Sequence, residues 1–204
     1  MINEIKKRLS SYHLADSSYH LADSSYQPVD SGNKVERELA AVLLPIVMRE
    51  RPALILTQRS SKLDAHGGEV AWPGGKKDES DESLVFTALR ESEEEIGLRP
   101  GLVEIVCQLR PFISKFGLEV TPFVGLIPAG VELVSNDDEI SSIFQVPLDY
   151  LLDDPRTDTD IIERHGERHV VPVYHYEGFK IWGLTAMILL EFMVHGLGLD
   201  ITDR

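Results

Sequence analysis

The chain has 204 residues, a formal net charge of −14 at pH 7 and one cysteine, Cys107. This length suits one domain with a sizeable core. The acidic charge argues against general nucleic-acid binding, which needs a basic face, and against docking on anionic membranes. A lone cysteine permits no intramolecular disulfide and no secretory signal is visible, so we expect a reducing, cytoplasmic setting.

The first segments in chain order are an N-terminal arm and two strands. Residues 10–26 contain the heptapeptide SSYHLAD twice and then SSY. Two copies are too few for a solenoid. We therefore interpret residues 1–33 as an arm with the repeat and a polar linker, in which a short amphipathic helix is an alternative, and residues 34–204 as the domain. Ala40–Met48 and Leu54–Gln58 are predicted strands.

A glycine-rich loop over Asp64–Gly75 precedes an acidic helix. At about 100° per residue, Glu91, Glu94 and Glu95 share one narrow face of this helix. The opposite face is a stripe fit for a core, made of Val85, Ala88, Leu89, Ser92 and Ile96. Closely spaced carboxylates repel each other, and a divalent cation such as Mg²⁺ would relieve that repulsion. The alternative is a solvated acidic surface helix.

The helix also carries end signals, and further elements follow it. Asp81 or Ser83 is expected to cap its start, and Gly97 its end. The later predictions are strands at Leu102–Leu109 and Glu119–Ile127, a polar loop at Pro128–Glu139, a segment packing on the sheet at Ile140–Leu152, an exposed charged loop at 153–168, a hairpin of Val170–Tyr176 and Phe179–Ile181, and a buried helix from near Trp182. Strands flanked by helices indicate an α/β architecture.

The acidic helix lies inside a longer pattern. Lys76–Leu98 resembles the Nudix box, G-x5-E-x7-R-E-U-x-E-E-x-G-U, in which U is a bulky aliphatic residue. The matching positions are Glu82, Arg90, Glu91, Glu94, Glu95, Gly97 and Leu98. Lys76 departs from the pattern, because it stands where the first glycine belongs while Gly75 is adjacent. Ser92 departs as well, because it replaces the aliphatic residue.

A narrower resemblance points to the coenzyme A diphosphatase branch of Nudix hydrolases. Its marks here are LTQRSS at 56–61 and HGGEVAWPGG at 66–75, with a shifted glycine and Asp81 in the acidic place. Further segments resemble the same branch, namely TPFVG at 121–125, NDDEI at 136–140, FQVPL at 144–148, YHY at 174–176 and IWGLTA at 181–186. Asp64 stands where a basic residue is expected, and Trp72 where phenylalanine is usual.

The resemblance implies a fold and an activity. The fold is the Nudix-type α/β/α sandwich with a mixed β-sheet. The activity is Mg²⁺- or Mn²⁺-dependent hydrolysis of the diphosphate bond of coenzyme A or its derivatives, by a monomer or homodimer. The products would be adenosine 3′,5′-bisphosphate and 4′-phosphopantetheine. Two alternatives stay open: a Nudix hydrolase of another substrate such as ADP-ribose or NADH, which Asp64 favours, and a non-catalytic nucleotide-binding module.

The family pattern also implies roles for the charged residues of the helix. Glu91 and Glu95 are the first metal ligands, and Glu94 assists them or acts as base. Arg90 orients these glutamates. Outside the helix, Glu139 follows a flexible polar loop and is a candidate general base, the alternative being a solvated loop acid.

Substrate-binding candidates surround the glycine-rich loop. Arg59, His66 and Lys76 are candidate phosphate contacts. For Arg59 the alternative is a surface ion pair, and for His66 a structural hydrogen bond. The backbone N–H groups of Gly74 and Gly75 are expected to lie close to phosphate. Further along, Phe116 and Gly117 stand in a polar loop that we expect to shape the pocket for adenine or for the pantetheine arm.

Overall fold

The computed structural model describes residues 1–12, 37–62, 66–164 and 167–200. The strands within these ranges are β1 (Leu39–Met48), β2 (Ala53–Arg59), β3 (Val70–Ala71), β4 (Gly74–Lys76), β5 (Glu104–Gln108), β6 (Phe112–Ile113), β7 (Glu119–Pro128), β8 (Ile140–Pro147), β9 (Arg156–Arg164), β10 (Glu167–Tyr176) and β11 (Phe179–Ile181). The α-helices are α1 (Ile2–Ser10), α2 (Leu84–Ile96), α3 (Leu148–Leu151) and α4 (Gly183–Phe192). The tandem repeat beyond Tyr12 and the departure at Asp64 lie outside the described residues.

The main sheet is mixed, as expected. Its central path runs β3-β2-β1-β7-β5, with β4 also on β1, β6 on β7 and β8 on β2. Strands β1 and β7 pair in parallel along their full length, whereas the other pairs in this sheet are antiparallel. Strand β1 is therefore almost continuously apolar, because helices cover both faces of a central strand.

Two apolar layers lie on opposite faces of this sheet. Alternate residues of a strand point to opposite sides, so Leu43 of β1 packs toward α2 and Leu44 packs toward α4. The layer under α2 includes Ala41, Leu43, Val47, Ile55, Ala88 and Ile96. The layer under α1 and α4 includes Ile5, Leu9, Leu44, Ile46, Leu54, Leu56, Met187 and Ile188. The result is the α/β/α sandwich that the resemblance implied.

Helix α1 packs into the second of these layers. Its residues Ile5 and Leu9 are buried, four positions apart on one face. The first part of the predicted arm thus contacts the fold, and the boundary between residues 33 and 34 stays a prediction. At the other end of the chain, α4 begins after Trp182 and is buried, as predicted. Across the described ranges, no helix is both long and apolar enough to cross a membrane.

The prediction of an exposed loop at 153–168 is wrong. This region contains β9 and the start of β10, which form a second, three-stranded sheet with β11. Thr157 and Thr159 alternate with acidic residues, and this period-two pattern was hidden by the density of charge. Pairing with the buried Val171 and Val173 of β10 stabilises the strand. The loop predicted at Asp64–Gly75 likewise contains β3 and the first residues of β4.

Candidate active site

Helix α2 presents the acidic face because both of its ends are fixed. The Ser83 side chain accepts a hydrogen bond from the Phe86 backbone N–H at 3.1 Å, which confirms one of the two predicted caps. Gly97 ends the helix in the left-handed conformation at φ +67°, as predicted. Ser92 is fully buried, and its hydroxyl donates to the Ala88 carbonyl at 2.6 Å. That bond satisfies the hydroxyl in a position where the family uses an aliphatic side chain.

The two glycines before Lys76 permit a close approach between β4 and its neighbours. Gly74 has φ +147°, and a Cβ atom there would lie 2.3 Å from the Ala41 carbonyl oxygen. A Cβ atom at Gly75 would lie 2.4 Å from the carboxyl carbon of Glu91. The position of Gly74 therefore requires glycine, because the clash is with backbone and φ is positive. At Gly75 a side chain would displace the Glu91 carboxylate. The predicted loop glycines thus bring the backbone directly against the carboxylate face.

Arg90 is the hub of the ion pairs on this face. Its guanidinium contacts Asp81 (Nε to Oδ1, 2.9 Å), Glu91 (Nη2 to Oε1, 3.0 Å) and Glu94 (Nη1 to Oε2, 3.1 Å). Asp81 is buried, and hydrogen bonds from Arg90 hold the pKa of its carboxyl well below the usual range. The same bonds raise the pKa of Arg90. Asp81 thus anchors Arg90, and this geometry suits the orienting role proposed for the arginine.

Glu95 is the most buried carboxylate of the face, only 3% exposed. Its Oε2 accepts the Gly74 backbone N–H at 3.1 Å, and its Oε1 lies 3.5 Å from Arg59 Nη1. Burial, together with the smaller effects of the charges of Glu91 and Glu139, raises the pKa of Glu95 to about 7, against the opposing effects of the Gly74 N–H and the Arg59 charge. A carboxyl so placed exchanges a proton near neutral pH, or binds a cation that compensates its charge.

Glu91 and Glu139 complete a group of carboxylates that affect one another. Burial raises the pKa of Glu91 above its ordinary value, and the charges of Glu94 and Glu139 add to that effect. The loop that carries Glu139 is tied to the end of α2, because Asn136 N–H donates to the Glu95 carbonyl at 2.9 Å. The loop acid predicted outside the helix is therefore within electrostatic reach of the helix face. Glu94 is more exposed, with 57% of its side chain accessible.

The donor chemistry of this face fits a divalent cation. Its oxygens are carboxylates, the ligands that Mg²⁺ and Mn²⁺ prefer, and their charged forms are disfavoured by burial and by one another. In the described part of the chain, no three His, Cys, Asp or Glu side chains already stand close enough together to hold a metal ion. Arg90 contacts one oxygen of Glu91 at 3.0 Å, and Arg59 lies 3.5 Å from one oxygen of Glu95.

A cavity of about 280 Å³ is lined by Arg59 and Gly74, the two residues that contact Glu95. Three predicted substrate contacts, Arg59, His66 and Gly74, line it. Arg59 Nε is buried and has no hydrogen-bond partner among the described residues. Since a buried donor without an acceptor is costly, Arg59 is suited to bind an anion in this cavity. Its predicted alternative, a surface ion pair, does not match the partly buried contact with Glu95.

His66 and Lys76 are arranged less directly for phosphate. His66 Nδ1 lies 2.6 Å from Glu69 Oε2, which is the structural hydrogen bond considered as its alternative. Its ring also packs edge-on against Phe116, with 5.0 Å between centroids. The Lys76 ammonium binds Glu38 at 2.7 Å on the surface, and Lys76 is not among the residues that line the cavity. The structure thus brings His66 to the cavity and leaves Lys76 outside it.

Two residues of the cavity rim were not singled out from the sequence. Lys115 and Trp182 line the cavity together with Phe116, which was expected to shape the pocket. Lys115 Nζ lies 5.1 Å from the centroid of Phe116 and 5.9 Å from that of Trp182. The sequence signal available was a lysine beside an aromatic residue in a polar loop. Trp182 lies more than sixty residues away, and only the fold brings it to the same rim.

Comparison with known proteins agrees with this geometry. The family model described as NUDIX domain matches residues 37–165. A Citrobacter koseri protein named "Uncharacterized Nudix hydrolase NudL" is 44% identical over 161 residues, covering 79% of this chain and 84% of the relative. A Yersinia pestis protein of the same name is 45% identical over 150 residues, covering 74% and 75%. Among solved structures, the Nudix hydrolase RenU from M. smegmatis aligns over 57% of this chain and 74% of its own, with 23% identity and a TM-score of 0.48.

The matched span and the identities establish the family. The family model covers more than half of the chain, and the relatives share well over 30% identity across most of it. Members of this family generally use divalent metal ions such as Mg²⁺ or Mn²⁺ and act on small nucleotide derivatives. The chain belongs to the Nudix hydrolase family and is an enzyme that hydrolyses diphosphate bonds.

Proposed function

We propose that this Nudix hydrolase cleaves the diphosphate bond of coenzyme A or a derivative, giving adenosine 3′,5′-bisphosphate and 4′-phosphopantetheine. One observation carries the proposal: three of the segments that resemble the coenzyme A diphosphatase branch line one cavity, through residues that include Arg59 and Gly74, which contact Glu95. Arg59 comes from the first segment, Trp72 and Gly74 from the second, and Trp182 and Thr185 from the last. The last segment lies more than a hundred residues after the first two, so its convergence with them supports a shared role in substrate binding.

The carboxylate face supplies the proposed metal ligands. Glu91 and Glu95 are the principal ligands of Mg²⁺ or Mn²⁺, and Glu94 assists. A bound cation of this kind neutralises charge on the diphosphate and lowers the pKa of water. Gly75 keeps the Glu91 carboxylate against the β4 backbone, and Gly74 N–H holds one oxygen of Glu95. Arg90, fixed by Asp81, keeps Glu91 and Glu94 in place until the metal binds.

The remaining polar groups bind and activate the reactants. Arg59 binds the diphosphate, and His66 lies further along the same cavity. The Gly74 N–H, expected from the sequence to lie close to phosphate, donates to Glu95 instead. Glu139 is the proposed general base, and its carboxylate takes the proton from the attacking water. The water oxygen then forms a bond to phosphorus while the bridging oxygen–phosphorus bond breaks, which releases two phosphate monoesters. Water is thus the only co-reactant that the step requires.

Product analysis by chromatography tests this function. The protein is incubated in parallel with coenzyme A, ADP-ribose and NADH, each with Mg²⁺, Mn²⁺ or EDTA. We expect metal-dependent release of adenosine 3′,5′-bisphosphate, fastest from coenzyme A. Faster cleavage of ADP-ribose or NADH would move the substrate to the alternative that Asp64 favours. Tight nucleotide binding without turnover in any metal would indicate the non-catalytic module instead.

The pH dependence of the rate tests the proposed base. In Glu139→Gln we expect a loss of about 10²–10⁴-fold in turnover and the disappearance of the acidic limb of the pH–rate profile. Glu93→Gln is the control, because Glu93 is an exposed glutamate of α2 outside the proposed machinery. An unchanged acidic limb in Glu139→Gln would reassign the base to Glu94 or Glu95.

A further inference from the structure

The rim of the cavity combines a loosely held positive charge with two aromatic rings. The nearest ion-pair partner of Lys115 is Glu69, whose Oε1 stands 3.8 Å from Nζ, beyond hydrogen-bonding distance. Half of the Lys115 side chain is exposed, although the protein as a whole is strongly acidic. The Phe116 ring is 65% exposed, an unusual state for a large apolar side chain beside a cavity. A positive charge beside an exposed aromatic ring suits a ligand that carries both a negative charge and a flat ring.

A compact turn holds this rim in place. Ser114 N–H donates to the Leu118 carbonyl at 2.8 Å, and the Ser114 hydroxyl oxygen accepts the N–H groups of Phe116 at 3.3 Å and Leu118 at 3.1 Å. Gly117 closes the turn at φ +83°, in the left-handed region. Lys115 and Phe116 are thus presented at the tip of an ordered turn rather than on a freely varying loop.

The walls of the cavity distinguish between the two ends of the proposed substrate. The interior is aliphatic, with Val70, Leu118 and Leu184 among its residues. The Thr185 hydroxyl donates to the Val70 carbonyl at 2.9 Å, and Trp72 Nε1 donates to the Thr185 carbonyl at 3.1 Å. These polar groups are already paired, so the wall offers little to the amides of a pantetheine arm. A purine ring needs fewer hydrogen-bond partners from the wall, because its faces bind by stacking on aromatic rings.

We infer that Lys115, Phe116 and Trp182 form the subsite for the 3′-phosphorylated adenosine end of the substrate. The base enters the cavity and stacks on the aromatic rim, and the Lys115 ammonium binds the 3′-phosphate. This assignment rests on the proposed function and deepens it, because it gives the enzyme a means to distinguish coenzyme A from nucleotides that lack a 3′-phosphate.

Lys180 provides a matched control on the same ring. Its Nζ lies 5.3 Å from the Trp182 centroid, a distance similar to that of Lys115. Lys180, however, donates to Asp160 at 3.0 Å and is not among the residues lining the cavity. Lys115→Met and Lys180→Met therefore remove the same charge near the same indole, and only the first removes an ammonium that faces the cavity.

Calorimetric binding in EDTA tests the subsite without relying on turnover. The probes are adenosine 3′,5′-bisphosphate and adenosine 5′-monophosphate, which differ only in the 3′-phosphate. We expect the wild type and Lys180→Met to bind the bisphosphate about tenfold more tightly, and Lys115→Met to lose that preference. Phe116→Ala should weaken both probes about tenfold, and Phe116→Tyr should restore them. A preference that persists in Lys115→Met, or is absent from the wild type, overturns the inference.

The kinetic counterpart separates this inference from the proposed function. With coenzyme A, Lys115→Met should raise KM about tenfold with little change in kcat, and with 3′-dephospho-coenzyme A it should change neither. Suppose that the wild type hydrolyses coenzyme A and that Lys115→Met keeps the wild-type ratio of kcat/KM for these two substrates. The subsite inference is then wrong, and the proposed function stands. If the wild type does not hydrolyse coenzyme A but the Lys115-dependent binding preference holds, the proposed function fails and the subsite stands.

Discussion

Two glutamates of this protein, Glu191 and Glu95, are equally buried, at 3% exposure each, but differ in the groups that surround their carboxylates. Glu191 of α4 accepts from Arg110 Nε at 2.9 Å and from the Tyr12 hydroxyl at 2.9 Å, and the His195 ring lies 3.4 Å away. Glu95 of α2 receives one backbone N–H and a distant guanidinium, and stands among other carboxylates beside a cavity. Burial alone therefore does not mark a functional carboxylate.

The lesson lies in how each charge is compensated. Arg110 and Tyr12 satisfy Glu191 from within the fold, and Tyr12 also accepts the Arg110 backbone N–H at 3.1 Å, which ties the end of α1 to α4. Burial, together with the proximity of Glu191, raises the pKa of Tyr12. The charge of Glu95 is compensated only in part by the protein, so a proton or a bound cation can compensate the rest. One network stabilises structure, and the other is available for chemistry.

The largest expected effect is the loss of turnover in Glu95→Gln. Replacing the carboxylate with an amide of the same shape removes a proposed metal ligand, and we expect turnover to fall by about 10²–10⁴-fold while the circular dichroism spectrum is unchanged. Glu93→Gln again serves as the control. Near wild-type, metal-dependent turnover in Glu95→Gln would show that the poised carboxylate has no catalytic role.

The second effect is on stability, in Glu191→Gln. The change leaves the buried Arg110 without its counter-charge, and we expect the free energy of unfolding in urea to fall by about 3–5 kcal/mol. Removing both charges in Arg110→Met/Glu191→Met should cost less than the single change, because no charge is then left unpaired. A loss below about 1 kcal/mol in the single variant would contradict the structural role of this network.

The third prediction concerns how the free energy of unfolding depends on pH through Glu95. The pKa of Glu95 is raised from its ordinary value of 4.5 to about 7 in the folded protein, so the folded state holds this proton more tightly than the unfolded chain does. The corresponding stability is fully present below the unfolded pKa and is lost as the pH rises through about 7, by roughly 3 kcal/mol. In EDTA, urea unfolding from about pH 5 to about pH 8 should show this loss in the wild type and not in Glu95→Gln. Equal slopes for the two proteins would show that Glu95 ionises normally.

The smallest effect is expected for Tyr12→Phe. The variant keeps the ring and removes the hydroxyl that donates to Glu191 and accepts from Arg110, which should cost about 1–2 kcal/mol of unfolding free energy. Turnover per folded molecule should stay at the wild-type level, because the network does not border the cavity that Arg59 lines. A loss of activity at full stability would connect the two networks.

Local patterns predicted much of this molecule. The central strands, the ends of α2 and the buried C-terminal helix follow from apolar periodicity and capping residues, which act over a few positions. The acidic face followed for the same reason, since Glu91, Glu94 and Glu95 are placed by helix geometry alone. The strand β9 was missed because its charged residues hid a period-two pattern that only pairing with β10 stabilises.

The sequence by itself determined the family and the carboxylate face, because these depend on spacing within one short segment. Only the tertiary structure decided which of the candidates act together. It brought Glu139 toward Glu95, left Lys76 on the surface with Glu38, and joined Lys115 to Trp182 across the cavity. It also separated Glu95 from Glu191, two helical glutamates whose arginine partners, Arg59 and Arg110, lie far away in the chain. The physical reason is that burial, charge compensation and cavity shape depend on contacts between distant segments, which local spacing does not specify.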